Sequence, residues 1–333
     1  MAKKRILTGD RPTGKLHLGH FVGTLKNRVK LQDEYETFIL IADYHALTTK
    51  PNKEDIASFD SIIAEMVLDY LSVGLDPKKV TFYRQSSVPE VSELFLIFQM
   101  LVSVPRAQRI PTLKDVMKDL GIKQPSMGLL SYPILQAADI LLVKGELVPV
   151  GRDQESHIEL AREIARSFNT SYGQVFPEPK ALIGETAVLP GTDGKAKMSK
   201  SLGNCIYLSD SKEIVSQKVM NMYTDPKRIH ATDPGSVEGN PVFIYLDEFG
   251  TDKDKKKIEE YKDRYSKGKV GDIEVKKYLA DVLNEFLAPI RERREKFLKE
   301  SGIVERVLKE GNDRTKREAR KTIEEVRTAM GLS

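Results

Sequence analysis

Two short stretches hold the residues best suited to chemistry: Arg11–His20, "RPTGKLHLGH", and Thr192–Cys205, "TDGKAKMSKSLGNC". In the first, His17 and His20 lie three apart with Gly19 between them. At a helix start that spacing puts both imidazoles on one side. Gly19 lets a flat base or ribose approach the backbone closely. The free N–H groups of a helix start, with the helix dipole behind them, favour an anionic phosphate. Taken alone, the motif fits two solvent-facing histidines beside a turn equally well.

In the second stretch, Lys197 and Lys200 are cations in a glycine-flanked loop, and Ser199 and Ser201 add hydroxyls around Met198. Such a loop can close over a triphosphate and stabilise charge on a departing pyrophosphate. The plainer reading is a flexible basic loop. The pentapeptide "KMSKS" would occur by chance in only about 1 in 10,000 chains of this length at average residue usage. Its pairing with "HLGH" favours the phosphate reading.

These loops need a scaffold, and the first two hundred residues alternate strand and helix signals. "KRILTG", "TFILIA", "VTFYRQ" and "LVPV" read as strands. Leu18, Phe21, Val22, Leu25 and Val29 form a helix-period stripe. "NKEDIASFDSIIAEMVLDYLSVGLDP" reads as one long helix stopped by Gly74 and Pro77, "PEVSELFLIFQMLVSV" as a helix opened by Pro89, and "SYPILQAADILLV" and "DQESHIELAREIARSF" as two more. Alternation of this kind predicts an α/β fold with a Rossmann-like parallel sheet, whose ligands bind at the carboxyl ends of its strands. After about Leu208 the strand signal stops and highly charged helical segments follow. The expected division is therefore a catalytic domain over 1–208 and an α-helical domain over 209–333. The charged helices are either solvated faces or a polyanion-binding surface.

Composition narrows the setting. The 333 residues are 31% charged and 40% hydrophobic, as in ordinary globular chains, and carry a formal charge of +4. That mild basicity permits an anionic partner without identifying one. No apolar run reaches the ~20 residues of a membrane span, and "MAKKRILTGD" lacks the apolar stretch of a signal peptide. A single cysteine, Cys205, can form no intrachain disulfide. A cytoplasmic setting is expected, with no membrane or DNA partner.

"HLGH" followed by "KMSKS" on such a fold resembles the two motifs of class I aminoacyl-tRNA synthetases. The short catalytic domain narrows the resemblance to the tyrosine and tryptophan enzymes. "GLLSYPILQAADILLV", "LVPVGRDQESHIELAREIARSFN" and the closing "MGL" are similar to tryptophanyl-tRNA synthetases along most of the chain. Many bacterial members have Gln-Pro-Ser where this chain has Arg11-Pro12-Thr13, a Thr-Ile-Gly-Asn first motif, and Met where this chain has Gln136.

The resemblance implies activation of tryptophan with Mg-ATP, transfer to the 3′-terminal ribose of tRNA(Trp), and a homodimer. It implies catalytic roles for His17, His20, Lys197 and Lys200. It implies a nucleotide site of Arg11, Pro12, Thr13, Gly19, His20, Gly151, Arg152, Asp153, Val188 and the loop Lys197, Met198, Ser199, Lys200, Ser201, with Lys114 as a further cation. Asp153 is equally a plain helix N-cap. Asp139 sits in a mostly apolar helix pattern, where a carboxylate is costly unless paired. It is either a structural partner or the acceptor for an indole N–H, and the resemblance assigns the second role. His45, Leu7, Val148 and Val150 would line an otherwise apolar pocket, and Gln154 would orient the amino acid's polar end. No carboxylate cluster suggests a protein-bound metal, so magnesium is expected to arrive with ATP. The alternatives are a tyrosyl enzyme, a nucleotidylyltransferase and a non-catalytic tRNA-binding protein.

Overall fold

The computed structural model describes residues 3–119, 121–151, 154–183, 188–230 and 232–332. Five strands form one parallel sheet: β1 (Arg5–Asp10), β2 (Glu36–Ile41), β3 (Val80–Arg84), β4 (Leu147–Val150) and β5 (Lys180–Ile183). Their order is β3-β2-β1-β4-β5. The strand order reverses between β1 and β4, and such a switch point opens a crevice at the carboxyl ends of the strands.

The central strands are apolar on both faces because both faces are covered. Along β2, Phe38 and Leu40 enter one buried cluster with Leu7, Tyr83, Phe98 and Ile158. Ile39 and Ile41 enter the other with Leu18, Met66, Phe82 and Leu246. That alternation is the two-residue period of a strand.

The helices after 208 do not form a core of their own. Val215, Phe243, Leu279, Leu283 and Val307 share one buried cluster with Leu16, Leu18 and Tyr70. The helix Asp272–Lys299 packs on Phe59–Ser72 and on Lys212–Met220, and the last helix, Ile303–Met330, lies along β3. A Cβ at Gly311 would stand 1.7 Å from the Phe82 carbonyl oxygen, so only glycine lets this helix sit directly on the strand. Next to it, the Asn312 Oδ1 accepts the Arg84 N–H at 2.9 Å. The edge of β3 is thus covered instead of being left open to pairing. The change at 208 is one of composition, and packing runs across it.

Local differences from the sequence expectation have local causes. The long helix divides into Lys53–Ala57 and Phe59–Ser72. At the break, the Ser58 hydroxyl and N–H both donate to the Asp55 carbonyl, at 2.6 and 3.2 Å. The stripe from Leu18 runs through Leu18–His20, a wider π-helical stretch Phe21–Leu25, and Lys26–Leu31. Helices Val104–Gln108 and Pro111–Asp119, and the short strand β5, carried no clear pattern.

Candidate active site

A cavity of about 440 Å³ opens where β1, β2 and β4 end. Leu7 to Arg11, Leu40, Ala42 and Val148 to Gly151 form its strand side. His45, Gln136, Asp139, Gln154 and His157 form its helical side. The structure therefore brings Leu7, Arg11, His45, Asp139, Val148, Val150, Gly151 and Gln154 to one place, whereas Pro12, Thr13, His17, Gly19, His20 and Lys197 to Ser201 are not among the cavity's lining residues. Arg152 and Asp153 lie outside the described residues. Val188 is exposed, immediately after 184–187, which also lie outside them. Lys114 is exposed and is not among the cavity's lining residues, although Thr112 and Val116 on the same helix are. A two-residue offset turns a helical side chain by about 200°.

His17 is the residue before the helix start and His20 lies within its first turn, with ring centroids 3.8 Å apart. The His17 N–H donates to the His20 Nδ1 at 3.2 Å. That bond leaves the neutral His20 ring with its proton on Nε2, as a donor. Burial, with the nearby His20 and Lys200, lowers the His17 pKa to about 3. Burial likewise lowers His20 to about 4, with Lys200 and Arg28 adding to the shift and Asp10 opposing it. Both rings are therefore neutral near pH 7. The buried Nδ1 of His17 has no hydrogen-bond partner among the described residues.

The second motif docks on the first. The segment around His17 pairs with residues 206–208: the Leu18 N–H donates to the Ile206 carbonyl and the Leu208 N–H to the Leu16 carbonyl, both at 3.0 Å. The Gly19 N–H points at the Met198 sulfur at 3.3 Å. A Cβ on Gly19 would come within 3.0 Å of the His17 ring and 3.3 Å of the Met198 Cβ, so the glycine permits close approach here as well. The Lys200 Nζ donates to the Gly14 carbonyl at 2.8 Å and to the Thr13 hydroxyl at 3.2 Å. Burial lowers its pKa, against the pull of Asp10. Pro12 is buried, and Arg11 reaches the Thr49 hydroxyl at 3.4 Å. Lys197 is exposed, with no hydrogen bond or ion pair to its ammonium among the described residues. The Ser199 and Ser201 hydroxyls are 3.0 Å apart.

At the base of the cavity, Asp139 is buried in the helix Met127–Leu142. Its Oδ2 accepts from the His45 Nε2 at 2.8 Å, and the Gln85 amide donates to both Oδ1 and Oδ2 at 2.9 Å. Burial raises the Asp139 pKa, and the His45 and Gln85 bonds oppose the rise. A carboxylate has about four acceptor sites, and these three contacts leave one. The expectation of an otherwise apolar pocket is corrected here, because a second polar chain lines the cavity. The Thr112 hydroxyl contacts the Tyr132 hydroxyl at 2.9 Å and the His157 Nε2, and the His157 Nδ1 bonds Gln136 Oε1 at 2.6 Å. Gln136 is thus matched to a buried histidine, a polar pairing that methionine could not make.

Sequence reasoning missed several residues. Gln85 stands just past the end of β3, where ligand-facing polar groups are expected in a parallel sheet, and that was its signal. Asp10 ends β1, holding Arg28 at 2.5 Å and the Tyr70 hydroxyl at 2.6 Å. Burial opposes its ionisation, but these partners outweigh burial and hold its pKa at about 2. Asn204 ties the second motif together: its Oδ1 accepts the Ser199 N–H at 2.8 Å and its amide donates to Asp193 at 3.1 Å. Nothing in the local pattern marks it.

Comparison with known proteins places this geometry. The model of the family described as tRNA synthetases class I (W and Y) matches residues 2–288. The tryptophan–tRNA ligase of Treponema pallidum is 54% identical over 329 residues, covering 99% of this chain and 97% of that protein. The tryptophan–tRNA ligase of Chlamydia caviae is 52% identical over 335 residues, covering 99% and 96%. The crystal structure of tryptophanyl-tRNA synthetase from Campylobacter jejuni complexed with ADP and tryptophan superimposes with a TM-score of 0.86 at 33% identity, covering 98% of this chain and all of that one. With paired histidines, a lysine loop docked on them and a buried acid at the sheet's switch point, the chain belongs to the tryptophanyl-tRNA synthetases, on the tryptophan side of the class I tryptophan–tyrosine group.

Proposed function

We propose that this chain activates L-tryptophan with ATP, forming tryptophanyl-adenylate and pyrophosphate, and passes the tryptophanyl group to the 3′-terminal ribose of tRNA(Trp) in the cytoplasm. The observation that carries the reading is a cavity at the carboxyl ends of β1, β2 and β4 that holds the buried Asp139, with Asp10 and Arg11 of its lining leading along the chain to the Thr13–Gly14 segment on which Lys200 docks. Asp139 has one acceptor site left for an indole N–H. Gln154 orients the substrate's polar end, and Leu7, Val148 and Val150 pack on the ring. ATP lies over Gly19 and Gly151, with Val188 toward the adenine, and enters as its magnesium complex. The substrate carboxylate attacks the α-phosphorus, the bond to the bridging oxygen breaks, and pyrophosphate leaves. Neutral His20 donates from Nε2 to a phosphate oxygen, His17 assists beside it, and Lys197 and Lys200 offset the charge growing on pyrophosphate. Catalysis then comes from positioning and electrostatics and requires no covalent nucleophile.

The helical segment 209–333 is the proposed anticodon-binding part. Of its basic residues, Arg291, Arg293, Arg294 and Arg314 are held in internal hydrogen bonds. Arg317 is exposed, and Arg320 meets Glu90 only at the surface, with its own side chain 67% exposed. Surface pairs of that kind are weak, so these two arginines remain available to phosphate. Leu96, Met100 and Val104 are exposed apolar residues and form the proposed face for a second copy of the chain. Pyrophosphate exchange with each of the twenty amino acids tests the central claim. Exchange with tryptophan alone is expected; exchange with tyrosine alone, or with none, overturns it. Light scattering tests the dimer, and a monomer at micromolar concentration overturns that part.

A further inference from the structure

Asp69 lies on the helix Phe59–Ser72, fully buried and outside the cavity described above. An isolated carboxylate in such a place is costly. This one is held from two directions by groups distant in sequence. Its Oδ2 accepts the Leu16 N–H at 2.9 Å, and its Oδ1 accepts from the Arg294 guanidinium at 2.6 Å. Arg294 belongs to the helix Asp272–Lys299, and its other terminal nitrogen donates to Glu65 at 2.7 Å. Lys15 stands 3.8 Å from the same Glu65 carboxylate. Both Asp69 oxygens accept, one of them from a guanidinium, an arrangement that suits the ionised form best. Burial pushes the Asp69 pKa up to about 6; the Leu16 bond, Arg294 and Lys15 pull it down, and Glu65 pushes it up.

Leu16 immediately precedes His17. Its carbonyl accepts from the Leu208 N–H and the next N–H but one, that of Leu18, donates to the Ile206 carbonyl. The backbone on either side of His17 is thus fixed at three points, and Asp69 supplies one that residues 206–208 cannot. We propose that Asp69, held by Arg294, is a positioning residue for adenylate formation: it fixes the backbone at Leu16 so that His17 and His20 meet the phosphates in register. The inference rests on the reading that His17 and His20 act on ATP. Through it, a residue of the C-terminal helices contributes to the rate of a step it does not touch.

The test uses the full-length protein in tryptophan-dependent pyrophosphate exchange, with rates per active site titrated by adenylate burst and temperatures well below each variant's Tm. Asp69→Asn and Arg294→Met should each lower kcat about 10–100-fold, the scale of a small misplacement of catalytic groups, with the KM for tryptophan within twofold of wild type. Arg294→Lys, which keeps the charge, should recover most of the loss. The double variant should be no slower than the worse single, because both substitutions cut one link. His17→Ala is the reference. A fast His17→Ala overturns the reading of the site and the link with it. A slow His17→Ala beside a fast Asp69→Asn overturns the link alone. If Asp69→Asn does not fold, the Arg294 pair decides: wild-type kcat in Arg294→Met, or no recovery in Arg294→Lys, overturns the proposal.

Discussion

At the proposed phosphate end, His17 and His20 stand beside the docked loop of Lys197 and Lys200, and Lys197 has no fixed partner among the described residues. At the proposed amino-acid end, Asp139 is buried, with three of its acceptor positions filled by His45 and Gln85. In the proposed reaction the first end would leave the exposed Lys197 available for charge that develops on pyrophosphate, while Lys200 is held on Thr13 and Gly14. The second is pre-organised before the ligand arrives, because a buried carboxylate without partners would be unstable. Interactions that strengthen only in the transition state act on kcat, whereas those already complete in the ground state act on binding. The two ends should therefore respond to mutation in different kinetic constants.

The largest effect is expected from the lysines. Lys197→Ala or Lys200→Ala should reduce kcat for pyrophosphate exchange by about 10²–10³-fold with little change in the KM for tryptophan. Equal kcat in wild type and both variants would remove the distinction between the two ends. Asp139→Ala comes next. Losing a hydrogen bond to a charged group is worth roughly 1.5–3 kcal/mol, so kcat/KM for tryptophan should fall about 10–150-fold while the KM for ATP holds. Phenylalanine, which lacks the N–H, should be refused less strongly by the variant than by wild type. If the variant keeps wild-type kcat/KM for tryptophan, Asp139 is structural. Gln85→Met should cost about 2–10-fold in the same constant, since His45 still holds the carboxylate; no change in tryptophan kinetics would show that the glutamine only fills space.

The smallest effect is a pH response. His17 and His20 should stay neutral on acidification until pH approaches 4. Their native pKa values lie below the unfolded value of about 6.5, so on acidification the unfolded chain binds these protons first. Their contribution to stability is intact above about pH 6.5 and declines as pH falls toward 4. Imidazole NMR shifts followed from pH 8 to 4, alongside urea melts, would check this. Titration of either ring near pH 6.5 would mean that the phosphate end is more open to water than its packing indicates.

Much of this was legible in one dimension. Strands β1 to β4 announced themselves as short β-rich runs, and the paired histidines, the lysine pentapeptide and a carboxylate in an apolar helix marked both ends of the proposed site. These signals are local, because periodicity and residue type report which face is buried and which chemistry is available. What the sequence could not state was who bonds whom. Asp139 waited on Gln85, 54 residues away, and Asp69 on Arg294, 225 residues away. The basic residues of the C-terminal helices looked alike as letters, yet Arg294 is half-buried in an ion pair with the buried Asp69 while Arg317 is exposed. Hydrogen-bond partners at such separations are set by how the chain closes on itself, and no local window carries that information. The residue types alone pointed to phosphate handling and to a carboxylate that would need partners; tertiary packing decided which polar groups hold that acid and which cations stay exposed, because each buried charge must find its partner wherever the fold brings one.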